Sequence, residues 1–581
     1  MPYFFIILKK MCYTIIGGIM VMKRAKKRKL KLGFKLLFII LIIIAILFLF
    51  KYNKNNNISI NLKVAYTSSE FFDVSLYDLE YKEVDKIYRG IKVDYYPSYK
   101  DKNNKYTKIK YNNKDYLILN ENITSKEQDI IKEKELYVRT STTIYKSSED
   151  AKIESYVKKG EKVNIIGYDK ITDGVVNKYK IEYNDKTGYV YSKYLVKTYL
   201  ESTKIYDSTI NEYMSKMGDY LGGGSALNLD YYPYEKPKFK DNVMPSNVRA
   251  LYINSAAIKN IDDYISLAKD SNINAFVIDI KDNTSPAYNS PVMMEYSKTN
   301  YDKAMNNYED YKGYVKKARD QGFYLIGRIT TFKDSYYVMD HKETAIVNKN
   351  NEPFSHNGSY WPSAYNRSVW EFNVALAREA VTDIGFNEIQ FDYVRFPDRT
   401  TKLELNGTIN LNNTYGEEKA SALQTFVMYA CDSIHEVGGY VSIDVFGESA
   451  SNYVTAYGQF WPAISNVADV ISGMPYPDHF NAHEYGIKEV VWTVPYKILS
   501  AWGSSVKEKQ DIIKTPAIVR TWIQTYNTTK EPKVVYDESK VSDQIKALYD
   551  SSLSGGFMTW NSGSSISKYK EVSGAFRKVY K

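Results

Sequence analysis

Eight short apolar segments in the C-terminal part of the chain alternate with segments of amphipathic helical pattern, and this alternation limits the possible folds more than any other feature. Such β-α alternation is typical of a parallel sheet with helices on its faces. The predicted strands are ALYINS (250–255), AFVIDIKD (275–282), YLIGRITTF (324–332), EIQFDYVRF (388–396), YVSIDVFGE (440–448), DVISGMPY (469–476), AIVRTWI (517–523) and GFMTWNS (556–562).

Two α/β folds fit this alternation, the closed (β/α)8 TIM barrel and the open doubly wound sheet. The number of strands is eight, and no glycine-rich phosphate-binding sequence follows the first of them. Both observations favour a TIM barrel, which we expect to occupy residues 246–575.

The distribution of charge argues against nucleic-acid binding. The formal net charge of the chain is +10, but ten Lys and Arg side chains and no acidic residue lie within residues 1–35. Residues 36–581 are therefore neutral overall, without the basic bias of a phosphate-binding surface.

An uninterrupted apolar run, LLFIILIIIAILFLF, follows the basic segment and ends before Lys51. Flanking lysines extend its reach across a bilayer, and no small-x-small cleavage site follows it. We expect residues 36–52 to be an uncleaved transmembrane signal anchor, residues 1–35 a cytoplasmic tail, and the rest of the chain extracellular. Residues 1–21 are either untranslated, with a start at Met22, or a second membrane-associated segment.

Two units rich in short alternating strands, residues 60–134 and 135–199, follow the apolar run and resemble each other. The segment KIYRGIKVDYY aligns with YVKKGEKVNII, which places Gly90 opposite Gly160. The length and pattern of each unit suit a small β-barrel.

The second unit resembles bacterial SH3-type domains through LYVRTSTTIYKSSED, YVKKGEKVNIIGY and YKIEYNDKTGYVYSKYL. The first unit is a degenerate copy, since NKDYLIL stands where the second has DKTGYVY. The resemblance implies modules that bind cell-wall peptidoglycan or glycans, and the alternative is a spacer. Residues 200–245 are expected to be a linker, with LGGGS as a flexible break.

Alternation along a barrel strand divides its side chains between the helices and the lumen. In the fourth strand the helix-facing side chains are expected to be Ile389, Phe391 and Tyr393. Its lumen-facing side chains are expected to be Glu388, Gln390 and Asp392, with Glu388 in an ion pair at the bottom and Asp392 at the top, where active sites lie.

The polar and aromatic side chains expected at the top are Asp279, Lys281, Asp282, Arg328, Asp392, Arg395, Asp444, Glu448, Arg520, Trp522, Gln524, Trp560 and Asn561. Paired carboxyl groups cleave glycosidic bonds, and aromatic rings stack on sugars. Two of these side chains have an alternative role: Asp279 as an ion-pair partner of Lys281 or Arg328, and Arg395 as a positioning group.

The barrel segment resembles a bacterial family of glycoside-hydrolase-like (β/α)8 barrels, distantly similar to the α-amylase clan. The resemblance rests on FVIDIKD, GRITTFKD, NRSVWEFNVALAREAVTDIGFNEIQFDYVRFP, SIDVFG, ISGMPYPDHF, VRTWIQ and FMTWNS. It implies Asp392 as the nucleophile, Asp444 or Glu448 as the acid/base, and substrate contacts from Tyr476 and His479. The histidines that amylase-type enzymes place around the cleaved sugar have no match in these strands.

These features together predict a membrane-anchored extracellular glycoside hydrolase that acts on a cell-surface or secreted polysaccharide. No cofactor is expected, and no metal, because His479 and His483 lack an evident third ligand. The chief alternative is a non-catalytic glycan- or wall-binding protein with a barrel scaffold, and a weaker one is a polysaccharide lyase or deacetylase.

Overall fold

A computed structural model describes residues 39–40, 42–44, 47, 61–70, 72–203, 208–219 and 221–579. The predicted cytoplasmic tail, 1–35, lies outside these residues, as does most of the predicted anchor, 36–52. Within the described part of the chain, no helix has the length and apolarity needed to cross a membrane. The described residues divide into two compact units, one within residues 1–130 and one formed by residues 131–581.

The first compact unit contains a seven-stranded antiparallel sheet, which we call the first β-unit. Its strands are Lys63–Thr67, Asp73–Tyr77, Glu83–Tyr88, Lys92–Tyr95, Tyr106–Tyr111, Lys114–Leu119 and Ile123–Thr124. Numbered along the chain, they lie in the order 3-2-6-5-4-1-7. The apolar core of this sheet includes Leu76 and Ile109, both fully buried.

The second compact unit begins with a sheet of the same kind, the second β-unit. Its strands are Glu135–Val138, Thr142–Tyr145, Ile153–Val157, Lys162–Tyr168, Lys178–Tyr183, Lys186–Tyr191 and Leu195–Val196, with a small hairpin of Ile171–Thr172 and Val175–Val176. The seven strands again lie in the order 3-2-6-5-4-1-7. The aligned glycines, Gly90 and Gly160, both have a positive φ, of 83° and 86°. The predicted internal repeat is therefore present at the level of topology.

Residues from Val248 onward form the predicted parallel barrel. Its strands are Val248–Ile253, Ala275–Asp282, Tyr324–Thr330, Glu388–Asp392, Tyr440–Phe446, Val470–Met474, a seventh strand in two halves (Ile518–Val519 and Thr521–Gln524), and Gly556–Trp560. Each strand pairs with its neighbours in chain order, and the first pairs with the eighth. The two halves of the seventh strand pair on opposite sides, with the sixth and the eighth strands, and so close the barrel.

Helices cover the outside of the barrel and explain why its strands are buried on both faces. The helices from this part of the chain are Ile261–Lys269, Pro291–Tyr296, Lys298–Asp302, Tyr308–Asp320, Ser335–Asp340, Arg367–Glu379, Thr401–Leu405, Lys419–His435, Trp461–Val467, Pro495–Asp511, Glu538–Asp550, Ile566–Glu571 and Ser573–Arg577. Phe391 packs against Phe426 of one such helix, with ring centroids 5.4 Å apart. The lumen holds a second apolar cluster that includes Tyr252, Ile326 and Trp522.

The fourth strand ends earlier than the sequence predicts. It stops at Asp392, and Tyr393 has a φ of 54°, so the chain turns sharply after the aspartate. Tyr393 was expected to face the helices, and this expectation is wrong. The turn directs its ring towards Trp361, with centroids 5.7 Å apart.

The glycine-rich part of the predicted linker is not a flexible break. It follows two short helices, Tyr199–Thr203 and Ser208–Ser215. A side chain at Gly223 would meet Thr455 O at 2.1 Å, and one at Gly224 would meet Glu418 Cβ at 2.8 Å. These glycines allow residues 223–231 to lie directly on the barrel, where Leu229 and Tyr231 are buried.

Candidate active site

Arg328, on the third strand, connects two aspartates of neighbouring strands inside the lumen. Its Nη1 lies 2.8 Å from Asp279 Oδ1 of the second strand, and its Nη2 lies 2.6 Å from Asp392 Oδ2 of the fourth. All three side chains are more than nine-tenths buried. Charge-assisted hydrogen bonds of this kind fix both carboxylates in position.

Asp392 and Asp444 lie side by side on the fourth and fifth strands. These strands align Gln390 with Ser442 and Phe391 with Ile443, so the next aligned positions are the two aspartates. Directly opposed positions on neighbouring strands are about 4.8 Å apart. Asp392 also accepts a hydrogen bond from the backbone N–H of Tyr393, at 2.6 Å, which the turn after the strand makes possible.

Asp444 is in a different environment from Asp392. Trp522 Nε1 donates to its Oδ1 at 2.8 Å, and its buried Oδ2 has no hydrogen-bond partner within the described part of the chain. Burial, and then the negative charge of Asp392, raise the pKa of Asp444 well above its usual value. Both effects favour the protonated form of this carboxyl group.

Asp279 also has a raised pKa, for a related reason. Burial raises the pKa to about 6, and the charge of Arg328 offsets only part of this effect. Tyr252 OH donates to its Oδ2 at 2.6 Å. The carboxyl group of Asp279 thus remains within one hydrogen-bonded set with Tyr252, Arg328 and Asp392.

Aromatic rings line the lumen beside the carboxyl groups. The ring of Trp560 lies 4.7 Å from that of Tyr252, 5.6 Å from that of Trp522 and 6.4 Å from that of Tyr476, with the last pair stacked. Trp560 is only half-buried, unlike the other three rings. Its exposed surface is suited to stacking on a sugar ring.

Two charged side chains lie at the rim, at the ends of the second and third strands. The Asp282 carboxylate is partly exposed and accepts a hydrogen bond from Thr330 Oγ1 at 2.8 Å. Although burial acts in the opposite direction, the charge of Arg328 and this hydrogen bond keep the pKa of Asp282 below its usual value. Lys333 lies 4.8 Å from the ring centroid of Tyr393, and burial lowers its pKa.

Three residues expected to bind substrate are placed elsewhere by the structure. Lys281 is fully buried beside Phe372 of a surrounding helix and pairs with Asp334 at 2.7 Å, because the second strand has an irregular register before it. Arg520 is fully buried and pairs with Glu388 at 2.7 Å, near the beginning of the strands. Gln524 is fully buried. Its Oε1 accepts a hydrogen bond from Asp478 N at 3.3 Å, and its Nε2 donates to Tyr526 O at 3.1 Å. The contact between Arg520 and Glu388 confirms the predicted ion pair of Glu388 at the bottom of the barrel.

The remaining predicted residues lie near the top of the barrel. Arg395 is buried over the ring of Phe446, at 4.3 Å, and pairs with Asp398, which suits a positioning role. Glu448 is exposed and accepts hydrogen bonds from Tyr453 OH and Tyr457 OH. His479 packs edge-on against Tyr476, and Asn561 lies at the end of the eighth strand, where its Nδ2 is 3.5 Å from Thr525 O.

Three residues of the candidate site, Tyr252, Lys333 and Tyr393, were not predicted as site residues from the sequence. Tyr252 alternates with apolar residues on the first strand, and its lumen-facing position could have been found from that alternation. Lys333 and Tyr393 belong to loops, whose conformation strand periodicity does not predict. Within the described ranges, no group of three or more His, Cys, Asp or Glu side chains is arranged to hold a metal.

Residues 250–566 match the protein family described as "Putative glycosyl hydrolase domain", over more than half of the chain. No curated protein matches the chain.

The chain is also similar to solved structures. A hypothetical protein from Ruminiclostridium thermocellum is 29% identical, covering 34% of this chain and 97% of that chain, with a TM-score of 0.28. The glycoside hydrolase domain of PgaB (BpsB) from Bordetella bronchiseptica is 10% identical, covering 57% of this chain and 98% of that chain, with a TM-score of 0.42. A class V chitinase from Pseudomonas fluorescens is 12% identical, covering 57% and 98%, with a TM-score of 0.37. Since these TM-scores are low, the family of the chain is shown by the match of residues 250–566 and not by these structures.

Proposed function

The chain belongs to the family of putative glycosyl hydrolase domains, and from that premise we propose that its barrel hydrolyses a polysaccharide with Asp392 and Asp444 as the reacting carboxyl groups. The observation that carries the proposal is the contrast between these neighbouring aspartates. Asp392 is paired with Arg328, whereas Asp444 has a raised pKa and a buried oxygen that no described residue hydrogen-bonds. Glycosidic cleavage requires one ionised and one protonated carboxyl group.

The alignment of the two aspartates on adjacent strands supports a retaining mechanism. Carboxyl groups about 5–5.5 Å apart suit retention, whereas inversion requires about 6.5–9.5 Å. In the first step, Asp392 attacks the anomeric carbon while Asp444 gives its proton to the departing glycosidic oxygen. In the second, Asp444 takes a proton from water, and the water oxygen displaces Asp392 from the anomeric carbon.

Two observations favour Asp444 over Glu448 as the acid. Glu448 is exposed, and its carboxylate already accepts two tyrosine hydroxyl groups. Asp444 lies in the lumen next to Asp392 and is buried.

The location of the enzyme is part of the proposal. The apolar run within residues 36–52 and the basic residues before it support a membrane anchor with an extracellular barrel. The two β-units then lie between membrane and barrel in the sequence, and peptidoglycan is the ligand that we propose for these SH3-type units. Protease added to intact cells should degrade the barrel; protection of residues 131–581 would contradict this orientation.

Incubation of the protein with a panel of polysaccharides, followed by measurement of new reducing ends, tests the activity. Asp392→Asn should abolish hydrolysis and retain saccharide binding, while Asp383→Asn, an exposed aspartate remote from the lumen, should leave hydrolysis unchanged. Binding of a polysaccharide without hydrolysis by the unaltered chain would favour the non-catalytic alternative. NMR of the first product should show the anomeric configuration of the substrate.

A further inference from the structure

The second β-unit is attached to one of the helices that surround the barrel, Lys419–His435, and to the residue after it. Tyr194 OH donates to Asp432 Oδ2 at 2.8 Å, and Tyr191 OH donates to Glu436 Oε1 at 2.5 Å. Lys178, whose side chain is fully buried, pairs with Glu436 at 2.6 Å. A buried charge is stable only with its partner in place, so these contacts fix the unit in one position.

The chain after the second β-unit strengthens this attachment. The guanidinium carbon of Arg139 lies 3.4 Å from the ring centroid of Tyr232. Asp230 N donates to Gln424 Oε1 of the same helix at 2.8 Å. Residues 230–232 thus contact both the second β-unit and the barrel.

A separate contact joins the second β-unit to the active-site loop, which we define as residues 393–418. Tyr156 of the second β-unit and Tyr415 of the loop have ring centroids 5.3 Å apart. The guanidinium carbon of Arg367 lies 4.9 Å from the first ring and 4.7 Å from the second. Arg367 Nη2 also pairs with Glu417 Oε2 at 2.7 Å.

The same arginine is connected to the other end of the active-site loop. Arg367 Nη1 donates to Tyr365 O at 3.0 Å, and the ring of Tyr365 lies 4.6 Å from that of Phe396. Arg395 Nη1 donates to Phe396 O at 3.1 Å. Continuous contacts therefore run from Tyr156 to the residues that directly follow Asp392.

The middle of the active-site loop lies beside a cavity of about 270 Å3, lined in part by Glu404, Leu411 and Asn413. The middle of the loop is itself attached to the barrel, since Ile409–Asn410 pairs with Val347–Asn348 and Ile409 packs against Trp361. The C-terminal end, where Glu417 and Glu418 line the same cavity, is held in part by the contacts with Arg367 and Tyr156.

We propose that the second β-unit is a fixed part of the catalytic module, in which Tyr156 holds the C-terminal end of the active-site loop and so keeps the lumen entrance beside Asp392 in its shape. The catalytic part of this inference rests on the proposed function, whereas the holding of the loop does not. Tyr156 is a positioning residue, since it acts through Arg367 and Tyr415. The second β-unit then differs from a spacer, because removal of a spacer would leave the loop unchanged.

Hydrogen–deuterium exchange on the full chain tests the holding of the loop without reference to activity. Tyr156→Ala should raise exchange in residues 411–418 about tenfold, because a cation–π and an aromatic contact are lost. Tyr156→Phe keeps the ring and should change exchange less than about threefold. Lys193→Ala, which removes a half-exposed ion pair with Asp432 on the same interface, should leave the loop unchanged.

Tyr415→Ala tests the same contact from the loop, and the double variant should add little to either single one. Unchanged loop exchange in Tyr156→Ala, or an equal rise in Lys193→Ala, would overturn the inference. Exchange in residues 178–191 reports whether the second β-unit is still folded. If these residues also exchange faster in Tyr156→Ala, the loop exchange of Tyr415→Ala alone decides whether the contact holds the loop.

With a polysaccharide that the unaltered chain hydrolyses, Tyr156→Ala should lower kcat about tenfold and change KM less, while Tyr156→Phe restores kcat. A loosened loop with unaltered kcat would overturn the catalytic part alone. If no polysaccharide is hydrolysed, the proposed function fails, and the exchange data still decide whether the second β-unit holds the loop.

Discussion

Asp392 and Asp444 are the same residue type on neighbouring strands, and their surroundings make them chemically different. Arg328 forms an ion pair with Asp392, and the backbone N–H of Tyr393 donates a hydrogen bond to it. Among the residues that the structure describes, no cation forms an ion pair with Asp444, and one of its oxygens is buried without a hydrogen-bond partner. Unequal environments of this kind assign acid and base roles to paired carboxyl groups.

Trp522→Phe tests the environment of Asp444. The indole hydrogen bond lowers the pKa of Asp444, so its loss should raise that pKa further. The alkaline limb of the kcat/KM profile should then move to higher pH, and kcat/KM at pH 7 should fall about five- to tenfold as the acid is less well held. An unmoved alkaline limb would indicate that another group is the acid.

Asp279→Asn tests the raised pKa of Asp279. The pKa is about 6 in the folded chain and about 3.9 in an unfolded one, so the folded chain binds more protons between pH 4 and 6. The stability of the folded chain should therefore fall as pH rises, by about 3 kcal/mol from this group in all and by about 2 kcal/mol between pH 4 and pH 6. The variant should lack that fall.

Urea unfolding followed by tryptophan fluorescence at pH 4 and pH 6 measures this difference, since all seven tryptophans lie in the barrel. The same pH dependence in variant and unaltered chain would contradict the assignment.

At the level of the element, the seventh strand shows how the barrel closes. It is divided at Arg520, and each half pairs with a different neighbour. Arg520 itself turns inward to Glu388, whose other oxygen accepts a hydrogen bond from Tyr324 OH at 2.9 Å. A buried ion pair thus joins the fourth and seventh strands across the lumen.

Glu388→Gln should destabilise the barrel by about 3–5 kcal/mol, because it leaves Arg520 charged and unpaired in the interior. The double variant Glu388→Leu with Arg520→Met should recover most of that loss, since it removes both charges together. Urea unfolding of the three proteins provides the comparison. A double variant as unstable as the single one would show that the pair is needed for barrel closure itself.

At the level of the whole molecule, two similar β-units occur in different structural settings. The first β-unit belongs to a compact unit of its own, and the second belongs to the compact unit of the barrel. Their sheets have the same strand order, so the difference arises from side chains such as Lys178 and Tyr194, which contact the barrel in the second.

Deletion of the two β-units should consequently have unequal effects. Removing residues 61–130 should leave the melting temperature of the barrel within about 2 °C, as no contact internal to the compact unit of residues 131–581 is lost. Removing residues 131–198 instead should lower the melting temperature of the barrel by more than 5 °C. Asp432 and Glu436 lose their partners, and Tyr429 OH loses its acceptor, Ala151 O. Equal effects would contradict the structure.

The strand count, the order of elements and the lumen-facing position of Asp392 followed from the sequence, because hydrophobic periodicity is a local property of the chain. The same alternation correctly predicted Glu388 as a structural ion pair at the bottom of the barrel. The repeated β-units were also recognisable, since Gly90 and Gly160 serve the same turn.

Only the tertiary structure decided which side chains meet. The irregular register before Lys281, the turn at Tyr393 and the break at Arg520 each interrupt the alternation, and each moved a residue from its predicted place. The sharing of Arg328 by Asp279 and Asp392 depends on the alignment of three strands that are far apart in sequence. Periodicity determines the face on which a side chain lies, whereas alignment between distant segments determines its partner, and that alignment is a property of the whole packed barrel.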